Sequence, residues 1–145
     1  MMFSAIILSA AKAAHVSGVL LLAICTHESG LKNVMVSNDG GSPSYGLCMV
    51  KFETAKMVGF KGRPKDLMNP MTNAKFAARY LKFQEKRYGS YDWCRLTASF
   101  NSGTYMESSK SPGYPKNLKY VRHVQKKLDD NLKDRLSCNT EVAYQ

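Results

Sequence analysis

Apolar positions along this chain recur mostly at helical spacing, and they predict a succession of helices rather than strands. Phe3–Ala11 is apolar and predicts a first helix over Phe3–Ala14. The next stretch, Val16–Asn33, reads VSGVLLLAICTHESGLKN. Between Val19 and Cys25 it is apolar on every side, the pattern of a helix buried all round. Glu28 falls in its last turn, on the face of Leu21 and Ile24, and Gly30 follows as a residue able to close a helix in the left-handed conformation. Val34–Tyr45 is polar, with Gly40-Gly41 and Pro43 as turn residues, and reads as an exposed loop. Short apolar Gly46–Lys51 comes next, then a helical stretch Glu53–Val58 ended by Gly59, then a basic connector, Phe60–Asn69.

Asn69-Pro70 has the cap and first-position residues of a helix start. That helix buries Ala74, Ala77, Ala78, Leu81 and Tyr88 and stops at Gly89. Asp92 caps a helix that buries Trp93, Leu96 and Phe100, and Asn101–Pro115 is a long loop. The last helix, Asn117–Leu136, buries Leu118, Val121, Leu128 and Leu132. No repeat and no strand-rich region appears. The expected architecture is all-α, one domain over residues 1–145 with a tail at 137–145, and two long loops of the kind that carry function.

A chain of 145 residues with 44% hydrophobic content suits a single globular domain with a proper core. Its formal charge of +10 points to an anionic partner: nucleic acid, an anionic membrane, or an acidic polymer such as peptidoglycan. The cations run from Lys12 to Arg135 without forming an arm, which fits capture of a polyanion better than sequence reading and fits plain solubility equally. Nucleic-acid binding is not expected, because no motif or aromatic stacking platform accompanies them. No apolar run approaches the ~20 residues that stable membrane insertion needs. Ala11-Lys12-Ala13 loosely resembles a signal cleavage site, but nothing basic precedes the short apolar run, so it reads as the first helix of the domain. Cys25, Cys48, Cys94 and Cys138 fit no zinc spacing. Cys25 and Cys48 are either reduced core residues or a disulfide, and Cys94 and Cys138 could form a second bridge.

Candidate chemistry narrows by elimination. His27-Glu28 begins like HExxH, but Leu31 stands where the second histidine ligand belongs, so neither a metal nor another cofactor is expected. Nucleophile elbows and phosphate-binding glycine loops are absent. Cys25 and His27 would share one helix, a poor arrangement for a nucleophile and its base. Glu28 is the one carboxylate inside an apolar helix. Removal from water and the partial negative charge at a helix C-terminus both push a carboxyl pKa upward, toward a general acid. A standard glycosidase needs two carboxylates across the scissile bond, and here only Glu28 is well placed.

Taken together, Glu28-Ser29, Gly46-Leu47-Cys48-Met49 with Thr54-Ala55, Ala98-Ser99-Phe100-Asn101-Ser102-Gly103 and Tyr120-Val121 resemble the soluble lytic transglycosylases. The family pattern is E-S, G-L-M-Q followed by T-A, A-x-Y-N-x-G and a late Tyr, in that order. The resemblance covers roughly residues 3–128. It implies the helical, lysozyme-like fold shared with goose-type lysozyme. It further implies that Glu28 serves as acid and then base, and that Tyr120 donates a hydrogen bond near it. Ser29, Tyr45, Gly46, Leu47, Met49, Phe100 and Asn101 are then expected to position or bind substrate, Asn101 taking N-acetyl and hydroxyl groups. The implied substrate is peptidoglycan, cut at the MurNAc-β-1,4-GlcNAc bond by attack of the muramyl 6-hydroxyl to leave a 1,6-anhydro end.

Two positions depart from the pattern: Met49 replaces Gln and Phe100 replaces Tyr, each removing a polar group. Alternatives therefore remain. One is a goose-type hydrolytic muramidase in which Asp39 orients water. Another is a non-catalytic wall-binding or virion structural module. A monomer acting on the cell wall in the periplasm is expected. With no convincing signal peptide, the packaging suggests a phage lysin released through a holin or carried in the virion.

Overall fold

A computed structural model describes residues 2–138. The expected tail therefore lies outside the described residues, except for Ser137 and Cys138. The chain divides into two compact units at Phe83/Gln84.

In the first unit, α1 (Met2–Ala14) and α2 (Gly18–Ser29) pack on each other. Ile7 and Ala11 of α1 are fully buried, and a side chain at Gly18 would meet Leu8 at 2.9 Å. Ser17 caps α2 through a hydrogen bond from the Leu20 N–H, and Gly30 ends it at φ 68° as expected. Burial of α2 is one-sided rather than complete. Leu20, Leu21, Ala23, Ile24 and Cys25 are buried, whereas Val19 is 43% exposed and Leu22 half-buried. An apolar run therefore overstated how much of the helix is covered.

The polar stretch expected as loop is a β-hairpin, β1 (Met35–Asp39) with β2 (Ser42–Tyr45), paired Met35↔Tyr45, Val36↔Ser44 and Asp39↔Ser42. Gly40 (φ 67°) and Gly41 (φ 101°) make its tip, with the positive φ at both positions that a tight two-residue turn requires. Pro43 is tolerated because a two-stranded ribbon leaves one side of each strand outside the ladder. After a compact turn at 46–50 come α3 (Phe52–Met57) and a 3-10 helix (Pro64–Met68) inside the expected connector. Phe60 joins them to the next helix edge-on, its ring 6.2 Å from Phe52 and 5.1 Å from Phe76.

Helix α4 (Pro70–Tyr88) starts where Asn69 Oδ1 accepts from the N–H groups of Met71 and Thr72. Its alanine stripe is buried as expected, and it also buries Asn73 and Gln84. The unit boundary falls within this helix.

The second unit holds α5 (Trp93–Ser102), capped by Asp92, and α6 (Leu118–Gln125). Helix α5 runs two residues past Phe100, so Asn101 is helical rather than in the loop. The expected long C-terminal helix is broken: α6 stops at Gln125 and a 3-10 helix covers Asp130–Leu136. Asp129-Asp130-Asn131 explains the break, because such side chains compete for backbone groups and favour helix starts over interiors. Gln125 Nε2 donates to the Lys133 carbonyl at 2.9 Å and holds the second segment. Val121, Val124, Leu128 and Leu136 are buried, while Leu118 and Leu132 are only half-buried.

Both open cysteine questions resolve as disulfides, Cys25–Cys48 in the first unit and Cys94–Cys138 in the second.

Candidate active site

Glu28 sits half-buried in the last turn of α2, directly before Ser29. Ser29 fastens this helix end to the chain that follows. Its hydroxyl donates to the Leu47 carbonyl at 2.6 Å, contacts the Cys25 carbonyl at 3.3 Å, and accepts from the Lys32 N–H at 3.2 Å. The Cys25–Cys48 bridge, with Cα atoms 4.3 Å apart, makes a second tie to the same segment. The end of α2 is thus pinned to the 46–50 turn by one covalent and one hydrogen bond.

That turn closes between Tyr45 and Val50, whose backbones exchange hydrogen bonds of 3.0 and 2.9 Å. Two of its residues hold left-handed backbone, Gly46 at φ 76° and Met49 at φ 49°. Methionine in that region is strained, so the turn keeps its shape only because its surroundings fix it. Leu47 is fully buried, and its carbonyl is taken by the Ser29 hydroxyl. Tyr45 and Met49 are half-buried beside it.

Asp39 ends β1 with its carboxylate accepting from the Ser44 hydroxyl at 2.7 Å, while its carbonyl accepts from Lys51. These bonds hold the hairpin tip.

In the second unit Asn101 is exposed near the end of α5, and its Oδ1 accepts from Asn117 Nδ2 at 3.0 Å. Asn117 also donates to the Ala98 carbonyl at 2.9 Å. The end of α5 is fixed from α4 as well. Gln84 Nε2 and Arg87 Nη1 each donate to the Gly103 carbonyl at 2.8 Å. Phe100 is buried, and Tyr120 is half-buried on α6.

The Transglycosylase SLT domain family matches residues 5–122. The chain belongs to that family. No curated protein matches it. Among solved structures it is similar to an inactive mutant of the lytic transglycosylase Slt from Pseudomonas aeruginosa, with a TM-score of 0.59 and 16% identity. That alignment covers 96% of this chain and 23% of the other, so the SLT-domain chain spans about a quarter of that protein's length. The likeness establishes the mainly helical, lysozyme-like fold expected from the sequence, to which the hairpin is added.

The first unit thus holds Glu28, Ser29, Tyr45, Gly46, Leu47 and Met49 of this SLT domain, and the second holds Phe100, Asn101 and Tyr120. Sequence reasoning missed Asn73 and Asn117. Neither stood out from a run of polar residues, although Asn73 falls on the same helical face as Ala77, a detectable conflict between polarity and burial. Among the described residues no acidic, histidine or cysteine cluster could hold a metal, and no helix is long and apolar enough to cross a membrane. A groove of about 590 Å³ between α1 and α4, lined by Ala5, Ile6, Ala10, Met71, Lys75 and Arg79, includes none of the expected residues.

Proposed function

We propose that this SLT domain is a peptidoglycan lytic transglycosylase, cleaving the MurNAc-β-1,4-GlcNAc bond with Glu28 as its single acid and base. The observation that carries the reading is the double fastening of the α2 terminus. Ser29–Leu47 and Cys25–Cys48 hold the turn bearing Glu28 against the backbone of residues 46–49, in a chain of transglycosylase family. The solved relative, made inactive by a Glu→Gln exchange, also supports a glutamate as the essential group.

Glu28 gives its proton to the glycosidic oxygen as the bond to the muramyl C1 breaks. The resulting carboxylate takes the proton of the muramyl 6-hydroxyl as that oxygen bonds to C1. No water is consumed and Glu28 ends protonated, ready for another cycle. One carboxylate suffices because the substrate carries its own nucleophile in place, an advantage of proximity. Asn101 binds the acetamido group. Asn117 takes one lone pair of Oδ1 and leaves both Nδ2 hydrogens to donate, which suits a carbonyl acceptor. Tyr120 serves the reaction as a hydrogen-bond donor. Asp39 is committed to the hairpin, which favours transglycosylation over hydrolysis by an Asp39-oriented water.

Mass spectrometry of muropeptides released from purified sacculi tests this. Anhydro ends are expected, and Glu28→Gln should lower their release by about 10²–10⁴-fold, the usual contribution of general acid–base catalysis. Asp39→Asn should retain the activity. Reducing ends, or an active Glu28→Gln protein, would refute the proposal.

A further inference from the structure

The buried side chain that organises the 46–50 turn is Asn73, a residue of α4 with no exposed surface. Its amide is used in both senses. Nδ2 donates to the Tyr45 carbonyl at 2.6 Å and the Leu67 carbonyl at 2.8 Å, and Oδ1 accepts from the Cys48 N–H at 2.9 Å. Both amide hydrogens and one oxygen lone pair are therefore spent on backbone groups, one in the turn at Cys48 and one on Tyr45, which closes it. The contact is close. A side chain at Gly46 would lie 2.5 Å from Asn73 Nδ2 and 2.9 Å from the Leu67 carbonyl oxygen. Glycine is required there both for its φ of 76° and for the room.

These bonds meet the ones already described. Cys48 accepts its disulfide from Cys25 on α2, and the neighbouring Leu47 carbonyl takes the Ser29 hydroxyl. The turn is thus gripped by α2 on one side and by Asn73 on the other, with the strained Met49 between fixed points.

We infer that Asn73 is a positioning residue for catalysis, setting the 46–50 turn against the helix end that carries Glu28. It touches no substrate and acts through the backbone of Tyr45 and Cys48. The inference rests on the proposed function only for its effect on turnover. Its effect on the turn stands independently.

Two substitutions separate positioning from general stability. Asn73→Leu is similar in size and removes all three bonds. Asn73→Asp keeps the acceptor for the Cys48 N–H, and at low pH its protonated carboxyl regains one donor for a turn carbonyl. With soluble glycan strands as substrate, kcat of Asn73→Leu should fall at least tenfold with KM changed less than about threefold. Val124→Ala, a core change in the second unit, serves as the comparison at matched loss of Tm and should keep kcat within about twofold. The ratio of Asn73→Asp to wild-type turnover should rise as pH falls. Hydrogen exchange on the intact protein supplies the readout that needs no activity. Amides of residues 45–50 should exchange at least tenfold faster in Asn73→Leu, with those of α5 and α6 unchanged. A wild-type protein that releases no fragments would overturn the proposed function and leave the exchange result to decide the role of Asn73. Unchanged exchange at residues 45–50, or a kcat loss no larger than that of Val124→Ala in an active enzyme, would overturn the inference itself.

Discussion

Individual side chains here often do something other than what their type suggests. Ser29, expected beside the substrate, spends its hydroxyl on the Leu47 carbonyl. Phe100 replaces a family tyrosine at a buried position, where the lost hydroxyl is a saving in desolvation. Tyr105 shows the opposite. Its hydroxyl is buried with no hydrogen-bond partner among the described residues, and Arg95 stacks 5.0 Å over its ring. Burial pushes its phenol above the usual value, with Arg95 pulling the other way and Glu107 and Asp92 adding to the rise. Because the folded pKa is the higher one, the neutral phenol's contribution is complete below pH ~10 and is lost as pH climbs through the folded value. Tyr105→Phe should therefore leave Tm at pH 7 within about 3 °C and show a shallower alkaline decline. Thermal melts of both proteins between pH 8 and 11 check this.

At the level of elements, most of the helices were legible because alternating burial wrote itself into spacing. The Asn69-Pro70 start, the Asp92 cap and the Gly30 stop are local signals that tertiary structure did not override. The hairpin was not legible. Val34, Met35 and Val36 stay exposed, β1 has no buried face, and its residues show none of the alternation that reveals a strand. The broken C-terminal helix was missed because periodicity continued through Leu128 and Leu132 while local hydrogen-bonding preferences at Asp129–Asn131 did not. Glu28, Asn101 and Tyr120 could be singled out as motif members. Asn117 could not, since a buried amide and a solvated one look alike in a sequence, and Asn73 left only its place on the alanine face as a signal. The two disulfides make separate predictions. Each closes a loop whose loss costs about 3–4 kcal/mol by chain entropy. The double Cys25→Ser, Cys48→Ser variant should also lose turnover at 25 °C, at least tenfold. The Cys94→Ser, Cys138→Ser pair should mainly lower Tm. Circular dichroism melts alongside sacculus digestion distinguish the two.

Over the whole molecule, the charge of +10 is carried largely on exposed side chains, Lys12, Lys86 and Lys119 among them. A diffuse positive surface concentrates an anionic polymer around it, and salt weakens that attraction over a Debye length of about 10 Å at 0.1 M. Raising NaCl from 0.05 to 0.5 M should increase the apparent KM for sacculi at least threefold. On short neutral glycan fragments it should change kcat less than twofold. Equal sensitivity of both substrates would remove electrostatic capture from the account.

The two sulfur bridges have a covalent consequence. One spans residues 25–48 and the other 94–138, so neither crosses the stretch from Gly89 to Asp92. Tyr91 stands out there at 87% exposure, an accessible point for a protease that cuts after aromatic residues. A chain nicked at that point is two separate polypeptides, each a lasso knotted to itself. In detergent without reductant they should migrate as two bands. A single band that splits only on adding thiol would mean the sulfurs had found other mates.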